Sequence, residues 1–441
     1  MTPSPVHAAP PAEQRARGRE LRSVVGRERL AELEPAADRD PVAILAEQDR
    51  GRLSALVPVR HERMAESPFA YFRGAAAVMA ADLATTPSTG VHVQACGDAH
   101  LSNFGVFAAR DRSLVFDVND FDETTPGPWE WDVKRLVTSV VLAGRQQQIA
   151  GPDVDAAAEA TARAYRLAVR NLAKKPAMAR YYERIDAATL RAWGTSLDER
   201  QRRVAEQGIA KARRNTSERA LKKLTVTDRS GVPRIVDQPP LVTRLPELDQ
   251  EVARSLAEAY LRSVPPDVAG VLQLFRFQDA ALKVVGVGSV GTRCLLVLMT
   301  DPTGDPLFLQ LKEATTSVLE RHVGANPLST PAERVVAGQL IMQASSDPFL
   351  GWFTAPDGRS YYVRQFRDMK GSLDLGLLDA GGLARYGELC ASTLARAHSQ
   401  LGAAATIGAY LGKSRVADQA LAAFGQRYAD RTEADHGALG R

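Results

Sequence analysis

Along the chain, apolar residues recur at helical spacing on both flanks of a stretch that alternates like strand. The helical pattern predicts helices over 15–34, 41–53, 132–146, 153–172, 248–263, 330–344, 382–401 and 417–436, with charged, helix-favouring sequence from 174 to 223. Ser67 before Pro68 reads as a helix start, since proline is tolerated in the first turn, and the helix that follows carries Tyr71, Phe72, Met79 and Leu83. Strand-like runs mark 91–95 and 113–118. Near Phe275 the character changes. Residues 281–300 are β-rich around Gly286, Gly288 and Gly291, Asp301 to Asp305 form a tight turn, and 306–313 is a further strand. Together these predict an antiparallel meander, with one more strand at 359–366. Gly231, Pro233, Pro239 and Pro240 leave 225–245 as loop or short strands.

Composition narrows the class of protein. A 45% hydrophobic and 24% charged chain is ordinary for a globular fold, and its 441 residues suffice for two or three core-forming units. A net charge of +4 is too small to suggest a nucleic-acid surface. Cys96, Cys294 and Cys390 lie far apart, without metal spacing or a disulfide framework. The first sixteen residues are rich in Pro and Ala, are expected to be mostly disordered, and lack the apolar core of a signal peptide. No apolar run approaches transmembrane length, so the expectation is a cytoplasmic protein with no membrane span. The oligomeric state is not legible.

The candidate chemistry concentrates between Cys96 and Asp132, where Asp98, His100, Asn103, Asp117, Asp120, Asp122 and Asp132 surround two short apolar runs. Carboxylates at such spacing are costly to bury without partners, and a divalent metal or a substrate proton would explain them. Asp132 is read apart from the others, as the opening residue of a helix whose free amides it satisfies. Arg60, Arg63 and Arg73 flank the helix begun at Ser67; they read as surface arginines, with an anionic substrate as the alternative.

Gly286, Gly288 and Gly291 fit G-x-G-x-x-G. A dinucleotide site needs a helix to begin at those glycines, whereas here the β-like run CLLVLM follows. The loop, with Ser289 in it, therefore reads as a hairpin tip that covers phosphates by close backbone approach. Lys312 lies within the apolar strand FLQLKEA, where an unpaired ammonium is costly. Kinases place a strand lysine on the nucleotide phosphates and hold it with a helix glutamate; Glu333 is the first candidate partner and Glu320 the second.

Gly97-Asp98-Ala99-His100-Leu101-Ser102-Asn103 resembles the catalytic loop H-G-D-x-H-x-x-N of aminoglycoside and choline kinase-like phosphotransferases, with Cys96 in place of the leading histidine. Asp120-Phe121-Asp122 resembles that family's metal-binding segment, and Gly127-Pro128 and Asp132 its following elements. The resemblance implies that Asp98 orients or deprotonates an acceptor hydroxyl, with His100 in the same loop. It also implies that Asn103 and Asp120 hold Mg2+ on the phosphates of ATP; Asp117 and Asp122 are secondary candidates, either one of them a second metal ligand or both solvated. Arg364, Gln365 and Phe366 fall where an interlobe hinge would meet the adenine.

In ordinary kinases the glycine loop and lysine precede the catalytic loop; here they follow it, and LARAHSQ, similar to the helix that normally leads into that loop, lies near the C-terminus. One circular permutation explains all three displacements. The implied fold class is α+β: a two-lobed, circularly permuted protein kinase-like fold with a predominantly helical large lobe and a small antiparallel β lobe. Its expected parts are an N-terminal extension (1–49), a helical lobe with the catalytic and metal loops (50–269), a nucleotide-binding β lobe (270–371) and C-terminal helices completing the helical lobe (372–441). The segments SPFAYFRGAA, GDAHLSNFG, NDFDET, ERVVAGQLIMQ and LARAHSQ also resemble the bacterial family called domain of unknown function 2252. The expected activity is Mg2+-dependent transfer of the ATP γ-phosphoryl group to a small-molecule hydroxyl. A metal-dependent hydrolase using Asp98, His100, Asp117 and Asp120 is one alternative, and a nucleotide-binding pseudokinase or regulatory module is another.

Overall fold

The computed structural model describes residues 9–186, 188–190, 198–229, 231–245, 250–284, 286, 288–366 and 369–439. The architecture is α+β. Its helical part is built around helix Trp129–Gln146, which is buried along almost its whole length. Helices Gly151–Leu172, Ala380–His398 and Val416–Leu439 pack against it. Leu136, Val137, Val140, Leu394 and Phe424 form the shared core, and Trp129 stacks on Tyr165 with ring centroids 5.6 Å apart. Buried charges inside this body are paired or hydrogen-bonded, as burial demands: Arg166 with Asp418 at 2.7 Å, Arg39 with both Asp82 and Asp435, and Lys134 and Glu130 with Thr86 and Thr89.

The N-terminus differs from its expectation. Helix Pro11–Val24 begins inside the segment read as disordered, and residues 1–8 lie outside the described residues. This helix packs on Ala404–Leu411, and Arg22 Nε donates to the Tyr410 carbonyl at 2.8 Å. Tertiary contact thus organises a segment whose composition alone favours disorder.

The β-rich part is a six-stranded antiparallel sheet in the order Gly351–Thr354, Ser360–Gln365, Pro306–Ala314, Cys294–Thr300, Arg276–Lys283, Val242–Arg244. The predicted meander is its centre, and the Pro/Gly-rich segment supplies its last, edge strand. Helix Pro331–Met342 packs on strands Ser360–Gln365 and Pro306–Ala314 and continues the main core through Val335, Val336 and Met342. Helix Ser217–Leu224 and the small hairpin of Thr225–Thr227 with Pro233–Ile235 cover another patch of the sheet, where Ala220 and Ile235 meet Leu296, Leu298 and Phe308. Tyr260, on helix Gln250–Leu261, belongs to the cluster containing Phe353 and Tyr361 at the Gly351–Thr354 edge. Among the described residues no helix is long and apolar enough to cross a membrane.

Candidate functional site

Strand His92–Ala95 delivers the chain into Gly97, whose φ of +79° suits glycine. A Cβ there would also sit 2.3 Å from the Glu123 carbonyl oxygen, so the two acidic loops touch at a position only glycine can fill. The turn is fastened from below by Asp132, which accepts the backbone N–H groups of Cys96 at 2.6 Å and Gly97 at 2.9 Å. His398 Nε2 lies 3.0 Å from the same carboxylate, and its Nδ1 is 2.8 Å from the Tyr165 hydroxyl. Asp132 therefore does not open its helix, which begins at Trp129; its carboxylate reaches across to the preceding loop instead. Tyr386 adds hydrogen bonds from its hydroxyl to the carbonyls of Leu101 and Phe104, so helix Ala380–His398 supports this loop at two points.

Above that base, Arg135 holds Asp98 Oδ1 at 2.5 Å while donating to the Phe72 carbonyl and lying over the Phe72 ring. Burial pushes the Asp98 carboxyl above its ordinary range, and the charge of Arg135 opposes that rise. His100 Nε2 is 3.7 Å from Asp98 Oδ2, too far for a hydrogen bond, and Nδ1 is buried without a partner. Burial, with Arg73 and Arg135 nearby, holds His100 neutral. Asn103 donates its amide to the Asp98 carbonyl at 2.8 Å, which leaves the amide oxygen as an acceptor.

The second acidic loop follows strand Leu114–Val118. Asp122 accepts Lys312 Nζ at 2.6 Å, the Tyr362 hydroxyl at 2.7 Å and the Ser289 hydroxyl at 3.1 Å. Asp120 Oδ1 lies 3.7 Å from Lys312 and is buried with no hydrogen bond. Lys312 itself is 2% exposed, and its two carboxylates outweigh the burial that would strip its proton.

The hairpin tip between strands Arg276–Lys283 and Cys294–Thr300 carries Gly286, Gly288 and Ser289 to the same place, whereas Gly291 packs against the Arg52 side chain and does not line the cavity. Gly286 and Gly291 have φ of +66° and +89°. The tip is tied to the N-terminal helices: Arg63 donates to the Gly286 carbonyl, Arg52 to that of Val290, and Leu53 N–H to that of Gly291. Asp98, His100, Asn103, Asp120, Asp122, Gly286, Gly288 and Ser289 line one cavity of about 650 Å³. That volume falls within the range of small-molecule sites.

Several expected members stand elsewhere. Asp117 is not a metal ligand: it is 1% exposed, paired with Arg396 at 3.0 Å, and accepts the N–H groups of Val118 and Ala344. The strand turns its side chain toward helix Ala380–His398, away from the cavity. Glu333 does not meet Lys312. It lies in the first helical turn and folds back on the Ser329 hydroxyl and N–H, at 2.5 and 3.1 Å. Glu320 pairs with Arg334 at 3.3 Å. The side chain sent inward from helix Pro331–Met342 is Arg334, which donates to the carbonyls of Asp122, Thr124 and Thr315. The hinge expectation also changes. Arg364 donates to Gln310 Oε1, Gln365 N–H to Asp347, and Phe366 N–H to the Phe308 carbonyl, so these groups are engaged within the fold and do not line the cavity.

Sequence reasoning missed Arg135, Tyr362 and Arg334. The first was findable as the residue one helical turn after Asp132. The other two were not, because nothing local shows which loop a strand tyrosine or a helix arginine will meet.

Among the described residues no three His, Cys, Asp or Glu side chains converge as a metal cage. Mg2+ does not need one, since it takes one or two carboxylates and fills its other positions with water and substrate phosphate. Asp120 Oδ1, buried without a hydrogen bond, and the amide oxygen of Asn103 fit that donor set.

No curated protein and no solved structure matches the chain. A family model described as an uncharacterized protein conserved in bacteria, DUF2252, matches residues 52–441, a span that takes in both acidic loops, the glycine hairpin and Lys312. By that match, over most of its length, the chain belongs to the DUF2252 family.

Proposed function

We propose that this cavity is a phosphotransferase site that moves the γ-phosphoryl group of ATP to a hydroxyl of a small molecule. The observation that carries the reading is the meeting of Lys312 and Ser289 with Asp122 across 190 and 167 residues of sequence, beside Asp98 and Asn103. A phosphate-binding lysine, a glycine hairpin and an acidic metal-and-base pair are the parts phosphoryl transfer needs, because its catalysis is mostly positioning and charge neutralisation. The order glycine hairpin, lysine strand, helix Pro331–Met342 is that of a small kinase lobe. The support that helix Ala380–His398 lends to the 96–103 loop favours a circularly permuted kinase-like fold.

Asp98, with its carboxyl raised by burial, takes the acceptor proton, and Arg135 fixes its direction. Lys312 is 2% exposed and does not itself line the cavity; it holds the Asp122 carboxylate, which does, and one of its remaining donors must reach a phosphate oxygen. Backbone at Gly286 and Gly288 closes over the phosphates. Asp120 and Asn103 would hold Mg2+, whose chemistry is to neutralise the phosphate charge. A metal-dependent hydrolase loses ground, since Asp117 stands outside the cavity.

A second reading, a nucleotide-binding module without turnover, has an observation of its own: Asp98 is held in a close ion pair with Arg135. Asp98→Asn separates the two. With purified protein, Mg2+ and pooled metabolites as acceptors, wild type should consume ATP, and Asp98→Asn should lose at least 100-fold in rate while binding ATP within about threefold of wild type. Retained turnover removes Asp98 from its role. ATP binding by both proteins with no consumption by wild type under any acceptor pool favours the second reading.

A further inference from the structure

Arg73 ends the helix Pro68–Gly74, on the wall of the same cavity. The other arginines around it are committed. Arg60 is buried against Asp49 at 2.7 Å, Arg63 and Arg52 hold the glycine hairpin, and Arg321 is paired with Glu47 at 2.6 Å. Arg73 has no carboxylate within 4.0 Å among the described residues, and its Nε is buried without a hydrogen-bond partner. Asp98, Asp120 and Glu66 are the carboxylates near enough to act on its charge, and His100 feels that charge in turn. Its own carbonyl lies against the glycine hairpin, 3.2 Å from where a Cβ of Gly288 would be. Arg73 thus touches the hairpin through its backbone and shares the cavity wall with Asp98 and His100, which is the acceptor side of the site.

A planar fork of N–H donors suits a carboxylate or phosphate, and such a group would satisfy a donor that the fold leaves unmet. We propose that the acceptor is an anionic small molecule and that Arg73 grips its oxyanion, a phosphate or a carboxylate, while its hydroxyl faces Asp98. This rests on the phosphotransferase reading and narrows its substrate class. It also revises the surface-arginine reading of this segment, in which only Arg73 remains for substrate.

The test is calorimetric titration of the full-length protein with inorganic phosphate as probe, under a saturating Mg2+ complex of a non-hydrolysable ATP analogue so that all three of the nucleotide's phosphate positions are filled, with Mg-ADP affinity titrated separately. Wild type should bind phosphate in the millimolar range. Arg73→Gln should bind it at least tenfold more weakly and Arg73→Lys with intermediate affinity, and both should keep Mg-ADP affinity within twofold of wild type. Equal phosphate affinity in wild type and Arg73→Gln overturns the proposal. So does a fall in Mg-ADP affinity without a change for phosphate, which would assign Arg73 to the nucleotide. If Mg-ADP binds none of the three proteins, the phosphotransferase reading fails separately. The phosphate titration without nucleotide then still decides Arg73, with a tenfold loss in Arg73→Gln supporting an anion site and no loss overturning it.

Discussion

Replacing Lys312 with Met removes the cation to which Asp120 and Asp122 are directed while keeping the stem that packs in the strand. Breaking a buried ion pair from one side costs about 3–5 kcal/mol, because the remaining charge is left uncompensated. Asp122 is 29% exposed and keeps the Tyr362 and Ser289 hydroxyls, so the loss should fall near the bottom of that range or below it, at about 2–3 kcal/mol. The titration of Asp122 gives an independent figure. Burial alone would raise its pKa, but Lys312 and Tyr362 outweigh burial and hold it at about 2 instead of 3.8. That difference corresponds to about 2 kcal/mol. Because the folded value lies below the unfolded one, this contribution is complete above about pH 4 and is lost as pH falls through about 2. Urea denaturation of wild type, Lys312→Met, Asp122→Asn and the double variant at pH 7 forms a double-mutant cycle. The double variant should recover more than half of the Lys312→Met loss, and that loss should shrink at pH 3. Strict additivity, or a single-variant loss under about 0.5 kcal/mol, would refute the pairing as a source of stability. In the same proteins Lys312→Met should weaken ATP binding at least tenfold; unchanged affinity would detach the lysine from the phosphates.

Gly97→Ala should destabilise the protein by more than about 2 kcal/mol in urea denaturation, since a positive φ and a 2.3 Å approach to the Glu123 carbonyl act together; a neutral result would show that the loops can separate. Arg396→Met should cost about 3–5 kcal/mol in the same assay, because it leaves Asp117 buried without its counter-charge, and a loss under 1 kcal/mol would contradict that account. Glu123, pushed up to about 7 by burial, binds a proton in the folded state that the unfolded chain has already released between about pH 4.5 and 7, so stability falls as pH rises through that window. Glu123→Gln should therefore gain about 3 kcal/mol relative to wild type between pH 4.5 and 8, and a constant difference would show that the group titrates normally.

The expectations that held were those set by neighbouring residues. Ser67 caps its helix before Pro68, accepting the Ala70 N–H. The meander followed from alternation and a turn, and Gly286 and Gly291 at its tip adopt backbone angles that favour glycine. The expectations that changed concerned charged side chains whose partners lie far along the chain. Glu333 was assigned to Lys312 by its position on a helix, but a first-turn glutamate finds a free backbone N–H closer at hand. Asp117 was grouped with Asp120 by proximity, yet strand geometry turns it to the other side.

What the sequence by itself determined is the α+β class, the existence of most of the helices and of the glycine hairpin, and the set of polar residues too costly to bury without a purpose. Which of those residues share a cavity was decided only by tertiary structure. Lys312 meets Asp122, His398 meets Asp132, and Arg73 is left without a partner, because packing of distant segments chooses among carboxylates and cations that local sequence presents as equivalent. Local propensity acts over a helical turn or a hairpin, whereas desolvated charges are matched by whatever the assembled core brings within hydrogen-bond reach.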